Sequence, residues 1–217
     1  MGVLSDPKVQ ALADRLNAQS VAQEAETGAW FSERAKMGEL SWDGLDEKSH
    51  RYMADKLVAL EPAKAEFCYL ICRALLATRV VEVGTSFGVS TLYLADAVRA
   101  NGGGVVIGTE HEPAKAAAAR ANFAAAGLAD LIDLRETLKV IEGPVDFVLM
   151  DIWTEMARPA IELIAPHLRP GAVVVADNTT QVRHAYGKFF EFVEDPANGL
   201  STMTLPFDGG LEFCVKA

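Results

Sequence analysis

The chain has 217 residues, half of them apolar, so it is long enough to bury one sizeable hydrophobic core. Its net charge of -10, with 30 acidic residues against 20 Lys and Arg, argues against nucleic acid as the main partner, because phosphate binding depends on clustered basic side chains. Three cysteines without a CxxC pair suggest neither a disulfide framework nor a zinc site. We therefore expect a small-molecule partner.

The N-terminus carries charged residues within its first turns and so lacks the apolar core of a signal peptide. No apolar run approaches the roughly 20 residues that span a bilayer. We expect a cytoplasmic protein without a membrane partner, built as a single domain over 1–217. Residues 1–60 would form a helical segment that either covers a site or packs at one edge, with a homodimer contact as a further use, and 61–217 would form the core.

The first sixty residues predict irregular helices, one opened by Pro7 and running to Gln19, the other over Leu45 to Leu60. Between them, Gly28 to Phe31 is typical of a loop with aromatic anchors. From Pro62 onward, helices and short apolar strands alternate. Helices are expected over Pro62–Leu76, Val89–Ala100, Pro113–Ala126 and Glu155–His167. Strands are expected at 79–83, 105–109, 131–134, 147–150, 172–176, 200–205 and 211–216, with Arg169-Pro170-Gly171 turning the chain back before the fifth.

Nearly continuous apolar strands separated by helices imply buried parallel pairing. The sequence therefore predicts an α/β protein with a doubly wound, mostly parallel seven-stranded sheet, helices on both faces and extra N-terminal helices. The last two strands flank Pro206-Phe207-Asp208-Gly209-Gly210, a turn signal for a closing antiparallel hairpin.

In such a sheet, ligands bind outside the carboxyl ends of the strands, where the strand order reverses. Gly84 and Gly88 follow the first strand and would let the backbone turn tightly toward a ligand. Their G-x-x-x-G spacing lacks the middle glycine of the dinucleotide motif, so a nicotinamide-dependent dehydrogenase is disfavoured. An ordinary strand-to-helix turn explains the glycines equally well.

Acidic and amide side chains follow three further strands. Glu110 ends the second strand about 20 residues past the glycine turn, where a carboxylate can accept hydrogen bonds from both hydroxyls of a ribose. Asp151 ends the fourth strand, and Asp177 and Asn178 end the fifth. Two carboxylates and an amide suit a hard divalent cation such as Mg²⁺, whereas Asp residues that only cap the next helices would look the same.

Together these motifs resemble the cation-dependent O-methyltransferases, the group that includes catechol and caffeoyl-CoA O-methyltransferases and many bacterial relatives. The resemblance covers 61–217. It is carried by the run Val80 to Thr91, by Glu110, by Val145 to Trp153 and by Leu168 to Asn178.

The resemblance implies a Rossmann-like fold and an enzyme that transfers a methyl group from S-adenosylmethionine to a hydroxyl of a small, catechol-like or phenolic acceptor. It implies the following residues for the cofactor: Glu82, Gly84, Ser86, Gly88, Ser90, Glu110 and Trp153. Of these, Trp153 falls where relatives place a residue near either the adenine or the substrate. For the metal it implies Asp151, Asp177 and Asn178, with Asp151 also at the reacting centre.

One position departs from the pattern. Relatives carry a general-base lysine three residues after the first metal Asp, whereas this chain has Thr154, which cannot accept a proton near neutral pH. The metal alone could acidify the hydroxyl, or His184 could take the proton, although a solvated helix residue is the simpler interpretation of that histidine. The alternatives are a metal-independent methyltransferase acting on another small-molecule nucleophile, and a non-catalytic S-adenosylmethionine-binding module.

Overall fold

The computed structural model describes residues 2–39 and 47–217. Among these, the helices are α1 Pro7–Lys36, α2 Glu47–Met53, α3 Pro62–Ala74, α4 Val89–Ala100, α5 Pro113–Ala126, α6 Thr154–Ile164 and α7 Gly187–Val193. The strands are β1 Arg79–Val83, β2 Val105–Thr109, β3 Ile132–Arg135, β4 Val145–Met150, β5 Leu168–Asp177, β6 Leu200–Leu205 and β7 Leu211–Lys216. Throughout these residues, no helix combines the length and the apolarity needed to cross a membrane.

The seven strands form one sheet in the order β3-β2-β1-β4-β5-β7-β6. The first five pair in parallel, and β7 pairs antiparallel with both β5 and β6. The predicted α/β fold with its closing hairpin is therefore confirmed. From β1 the chain first builds outward through β2 and β3, then returns to place β4 on the other side of β1, so the order reverses between β1 and β4.

The sheet is buried on both faces, as its apolar strands predict. Along β1, Val80 packs into a core with α1, α3, α4 and α5, whereas Val81 packs into a second core with α6 and α7. Successive side chains of a strand point to opposite faces, and both of these valines are fully buried. Helices therefore cover both faces of the sheet.

The predicted loop at Gly28 to Phe31 is wrong, because α1 continues through it to Lys36. A glycine inside a helix costs only about 1 kcal/mol, which tertiary packing readily offsets. Here the ring of Trp30 stacks on Tyr52 with centroids 4.0 Å apart and lies edge-on to Phe31. The aromatic anchors exist, but they project from a helix.

The predicted helix over Leu45 to Leu60 is also too long. Leu45 lies outside the described residues, and α2 ends at Met53. After Met53 the chain runs along α1, and side chains of α1 accept hydrogen bonds from its backbone N–H groups. The N–H of Leu57 donates to Gln23 Oε1 at 3.1 Å, and that of Ala59 donates to Ser20 Oγ at 3.0 Å. Leu57 and Leu60 are buried at a spacing of three, which imitates a helical period.

The fifth strand begins earlier than predicted. Leu168 already pairs with Val145, so the Arg169-Pro170-Gly171 turn signal lies inside β5, at an irregularity in its register with β4. Gly171 has φ +75° there, a conformation that glycine adopts without a steric penalty. The preceding helix α6 correspondingly stops at Ile164, and a 3₁₀ turn over Ala165–His167 leads into the strand.

Candidate active site

The site forms at the carboxyl ends of β1 and β4, on the two sides of the strand-order reversal. Val83 and Met150 are register partners, and the N–H of Asp151 donates to the carbonyl of Val83 at 3.0 Å. Gly84 follows with φ +94°, and a Cβ at this position would lie 2.0 Å from the carbonyl oxygen of Asp151. Only glycine lets the two strand ends approach this closely.

Glu82 holds the glycine turn from beneath. Its carboxylate is completely buried and accepts hydrogen bonds from Thr85 Oγ1 at 2.7 Å, Ser90 Oγ at 2.7 Å and Thr91 Oγ1 at 2.5 Å. Burial raises the pKa of Glu82, and the three hydroxyl donors oppose that shift. The structure therefore places Glu82 behind the turn, where it fixes residues that face the ligand cavity.

The turn ends at Gly88, the N-cap residue of α4, which has φ +84°. A Cβ at this position would lie 2.3 Å from the Phe123 ring, so the first turn of α4 packs directly against α5. Gly88 thus shapes the turn without lining the cavity. Ser86, in contrast, adopts φ +50° and presents its backbone N–H to the end of β2.

That N–H meets Glu110, the acidic residue after β2. Glu110 Oε2 accepts from the N–H of Ser86 at 2.9 Å, and Oε1 accepts from the N–H of Glu112 at 2.8 Å. Each carboxylate oxygen keeps a further lone pair. The side chain is 8% exposed and lines a cavity, so it is oriented before any ligand arrives.

The cavity has a volume of about 910 Å³ and runs across the strand ends from β3 to β5. Seven of the sequence-predicted site residues line it: Gly84, Ser86, Ser90, Glu110, Asp151, Trp153 and Asn178. Four do not, and these are Glu82, Gly88, Asp177 and His184. Its walls also include apolar residues of the N-terminal segment and of α6, among them Phe31, Met53, Met156 and Leu163.

A smaller cavity of about 380 Å³ meets the first at Asp151 and Asn178 and is lined by Asp177 as well. The three predicted metal ligands are thereby brought together. Lys64, the third residue of α3, joins them: its Nζ lies 2.5 Å from Asp177 Oδ1, and both side chains are almost fully buried.

Burial, together with the charges of Asp177 and Glu82, raises the pKa of Asp151 to about 8, although the nearby Lys64 ammonium opposes this shift. Burial also raises the pKa of Asp177, again opposed by its hydrogen bond with Lys64. Asp151 and Asp177 thus share the Lys64 ammonium group, so the pair carries an unbalanced negative charge when both carboxyl groups are ionised.

The predicted metal ligands are of two chemical kinds. Within residues 2–39 and 47–217, no group of three or more His, Cys, Asp and Glu side chains could hold a metal ion. The predicted set instead combines two carboxylates with the amide of Asn178, whose Oδ1 lies 2.7 Å from the position that a Cβ of Gly209 would take. A glycine in the hairpin turn therefore leaves room for this amide.

Thr154 begins α6 directly after Trp153, and both line the large cavity. The Trp153 ring is met by His50 of α2, with ring centroids 5.6 Å apart at 62°. His184 is exposed on the turn before α7 and lines neither cavity, so its role as a base stays a prediction.

Comparison with known proteins agrees with this geometry. A family model described as "Methyltransferase domain" matches residues 81–179. A catechol O-methyltransferase of Mycobacterium tuberculosis is 35% identical over 127 residues, 56% of this chain and 57% of the relative. One of Niastella koreensis is 32% identical over 135 residues, 56% of this chain and 58% of the relative. The crystal structure of cofactor-bound Rv0187 from MTB superposes with a TM-score of 0.67 at 26% identity, covering 77% and 86% of the two chains.

Residues 81–179 therefore resemble a methyltransferase domain, and about half of the chain is similar to catechol O-methyltransferases. The matched segments span little more than half the length of either curated relative. The methyltransferase domain match includes the glycine turn, Glu110 and all three predicted metal ligands.

Sequence reasoning missed two residues of this candidate site. Lys64 lies more than 100 positions before its partner Asp177, and no local pattern distinguishes it from other helical lysines. His50 lies on a short helix whose position over the cavity depends on how α1 packs. For both, the relevant signal is tertiary: the start of α3 lies beside the end of β5, and α2 lies beside Trp153.

Proposed function

We propose that the chain transfers the methyl group of S-adenosylmethionine to a hydroxyl of a small phenolic, catechol-like acceptor, with assistance from a divalent cation. The observation that carries this proposal is the single cavity with Glu110 at one end and Asp151 and Asn178 at the other. A carboxylate suited to a ribose and a set of oxygen ligands suited to a cation therefore line the same cavity. Methyl transfer requires the donor and the acceptor to be bound next to each other in this way.

On the donor side, Glu110 would accept hydrogen bonds from the two ribose hydroxyls. The backbone N–H groups of Ser86 and Glu112 already fix the orientation of its carboxylate. Gly84, Ser86 and Ser90 would contact the methionine end, and Glu82 would keep Ser90 in place through its hydrogen bond. Glu110 and Ser90 are thereby oriented by hydrogen bonds within the chain.

On the acceptor side, the cavity is mainly apolar. Trp153, which precedes α6, and Met156 of α6 line it, together with Phe31, Met53 and Val58 of the N-terminal segment. An aromatic ring would bury apolar area against these side chains at about 25 cal/mol per Å². The N-terminal segment would then act as the cover of the acceptor pocket, the first of the two roles that its sequence left open.

The residues suit a divalent cation. Asp151, the Asp177 oxygen not bonded to Lys64 and the Asn178 amide oxygen would hold it, and the cation would replace the proton that the raised pKa of Asp151 retains at neutral pH. When bound, such an ion supplies polarisation of an acceptor hydroxyl and lowers its pKa. Lys64 would keep Asp177 oriented from the opposite side.

A second candidate function is metal-independent methyl transfer, and the observation that favours it is again Lys64. Its ammonium group, 2.5 Å from Asp177, already supplies one positive charge where a cation would act. In that case Lys64→Met should abolish turnover and EDTA should leave the wild type unaffected. If the site binds a cation, EDTA should abolish turnover and Mg²⁺ or Mn²⁺ should restore it.

The test of the function itself is incubation of the purified chain with S-adenosylmethionine, Mg²⁺ and a panel of ortho-diphenols and monophenols, with products measured by mass spectrometry. We expect a mass gain of one methyl group on ortho-diphenols. Binding of S-adenosylmethionine without turnover on any hydroxylated acceptor would overturn the enzymatic proposal in favour of a binding module. Transfer to a nitrogen or to a carboxylate would instead show that the acceptor is not a phenol.

A further inference from the structure

Methyl transfer to a hydroxyl releases a proton, and a basic side chain in the cavity is a suitable acceptor for it. The titratable residues that line the cavity fall on two sides of the strand-order reversal. On the β2 and β3 side, where the ribose carboxylate lies, are Glu110, His111, Glu112, Lys115 and Glu136. On the β4 and β5 side, or on the N-terminal segment, are Asp151, Glu155, Tyr186 and His50.

Three of the latter four are poorly suited to the task. Asp151 belongs to the buried carboxylate centre, and burial near Asp151 and Asp177 raises the pKa of Tyr186, which therefore keeps its own proton. Glu155 carries a carboxylate, a much weaker base than imidazole. The hydroxyl of Thr154 is not a base near neutral pH.

His50 remains, and it lies beside Trp153, which the proposed function places on the acceptor side. Its ring meets the Trp153 ring edge-on at 5.6 Å, and Trp153 directly precedes Thr154 at the start of α6. Histidine is the side chain that exchanges protons near neutral pH without special tuning. On α2, Glu47 and Arg51 pair with each other at 2.6 Å, and neither lines the cavity. On α6, the charged residue at the cavity is Glu155, and the α1 residues at the cavity, Thr27 and Phe31, are uncharged.

The other histidines lie elsewhere. His111 is 60% exposed between Glu110 and Glu112 on the ribose side, and His167 lies in the 3₁₀ turn before β5, at the far end of that strand. His184 lines neither cavity. All four histidines of the sequence fall within the described residues.

We infer that His50 is the proton acceptor of the reaction, a role that rests on the proposed function. A nitrogen of its imidazole takes the hydroxyl proton of the acceptor. The acceptor oxygen then forms a bond to the methyl carbon while the electron pair of the carbon–sulfur bond stays on sulfur, which gives S-adenosylhomocysteine. The imidazolium returns its proton to water after product release, so the step balances without a further reactant. The N-terminal segment thereby supplies a reacting group as well as a cover.

The test compares His50→Gln with the matched control His167→Gln, using catechol and the more acidic 4-nitrocatechol at saturating Mg²⁺ between pH 5.5 and 9. We expect His50→Gln to lower kcat for catechol by about 10²-fold or more, since positioned bases contribute about 10²–10⁴-fold. The loss should shrink for 4-nitrocatechol, whose hydroxyl is already largely ionised, and the Kd of S-adenosylmethionine should stay within about twofold. His167→Gln should match the wild type, because His167 lines neither cavity.

A readout independent of turnover is the His50 imidazole resonance in NMR spectra. It should shift when 4-nitrocatechol is added to the complex with S-adenosylhomocysteine, and His50→Gln identifies the signal. Wild-type kcat in His50→Gln at every pH, or an equal loss for both acceptors, would overturn the role of His50 while leaving the methyltransferase proposal intact. A wild type without turnover would refute the proposed function instead, and a His50 resonance unmoved by 4-nitrocatechol would refute the inference by itself.

Discussion

Lys64 and Asp177 form an almost fully buried ion pair, with Nζ 2.5 Å from Oδ1, that joins the start of α3 to the end of β5. Removing one partner of such a pair leaves an uncompensated buried charge, which costs about 3–5 kcal/mol. We expect Lys64→Met to lower the free energy of unfolding by about that amount at pH 7 in EDTA, measured by urea denaturation.

The matched control is Lys48→Met, because Lys48 is 74% exposed and lies 3.6 Å from Glu39. Exposed pairs contribute about 0–1 kcal/mol, so this variant should remain near the wild type. Equal effects of the two substitutions would show that Lys64 and Asp177 are not a buried pair in solution.

Glu110 should dominate the affinity for S-adenosylmethionine. Glu110→Ala would remove both of the proposed ribose contacts, and each hydrogen bond to a charged group is worth roughly 1.5–3 kcal/mol. Calorimetry should therefore show at least a tenfold weaker Kd, since about 1.4 kcal/mol corresponds to a factor of ten. Glu191→Ala, at an exposed position of α7, serves as the control. Unchanged affinity in Glu110→Ala would remove Glu110 from the ribose site.

Two glycine substitutions should have opposite effects on stability. Gly84→Ala places a Cβ 2.0 Å from the Asp151 carbonyl at φ +94°, which should cost about 2–5 kcal/mol. The melting temperature should fall by about 5–15 °C. Gly28→Ala meets open space within α1 and should raise it by about 1–4 °C, because alanine is the better helix former. A melting temperature lowered by Gly28→Ala would contradict a continuous α1.

The stability of the metal-free chain should depend on Asp151. Its pKa is raised from 3.8 to about 8, first by burial and then by the charges of Asp177 and Glu82. Between these values the folded state holds a proton that the unfolded state releases. The free energy of unfolding should therefore fall as pH rises from about 4 to 8 and level off above.

Asp151→Asn should remove most of this slope and be more stable than the wild type at pH 8 in EDTA. Mg²⁺ should raise the melting temperature of the wild type most at pH 8, where the carboxylate is free to bind it, and should have little effect on Asp151→Asn. A wild type whose stability rises with pH over this range in EDTA would contradict the raised pKa.

The sequence by itself determined the parallel core. Apolar β-branched runs, glycines at forced turns and prolines at helix starts are local signals, and they predicted β1, α4, β2 and α5 with the bounds that the structure has. The same runs fixed which polar residues end neighbouring strands. Because parallel strands place their carboxyl ends at one edge of the sheet, Glu110, Asp151 and Asp177 could be assigned to one region before any coordinates were known.

The tertiary structure alone decided the rest. The spacing of Leu57 and Leu60 predicts a helix, yet the backbone there donates to side chains of α1, so packing overrides the local period. The same packing sets α2 against Trp153 and so brings His50 to the cavity. Lys64 reaches Asp177 across 113 positions because the strand order puts β5 beside the start of α3. The periodicity of apolar residues indicates which face of a helix or strand is buried, but it does not indicate which other element packs against that face.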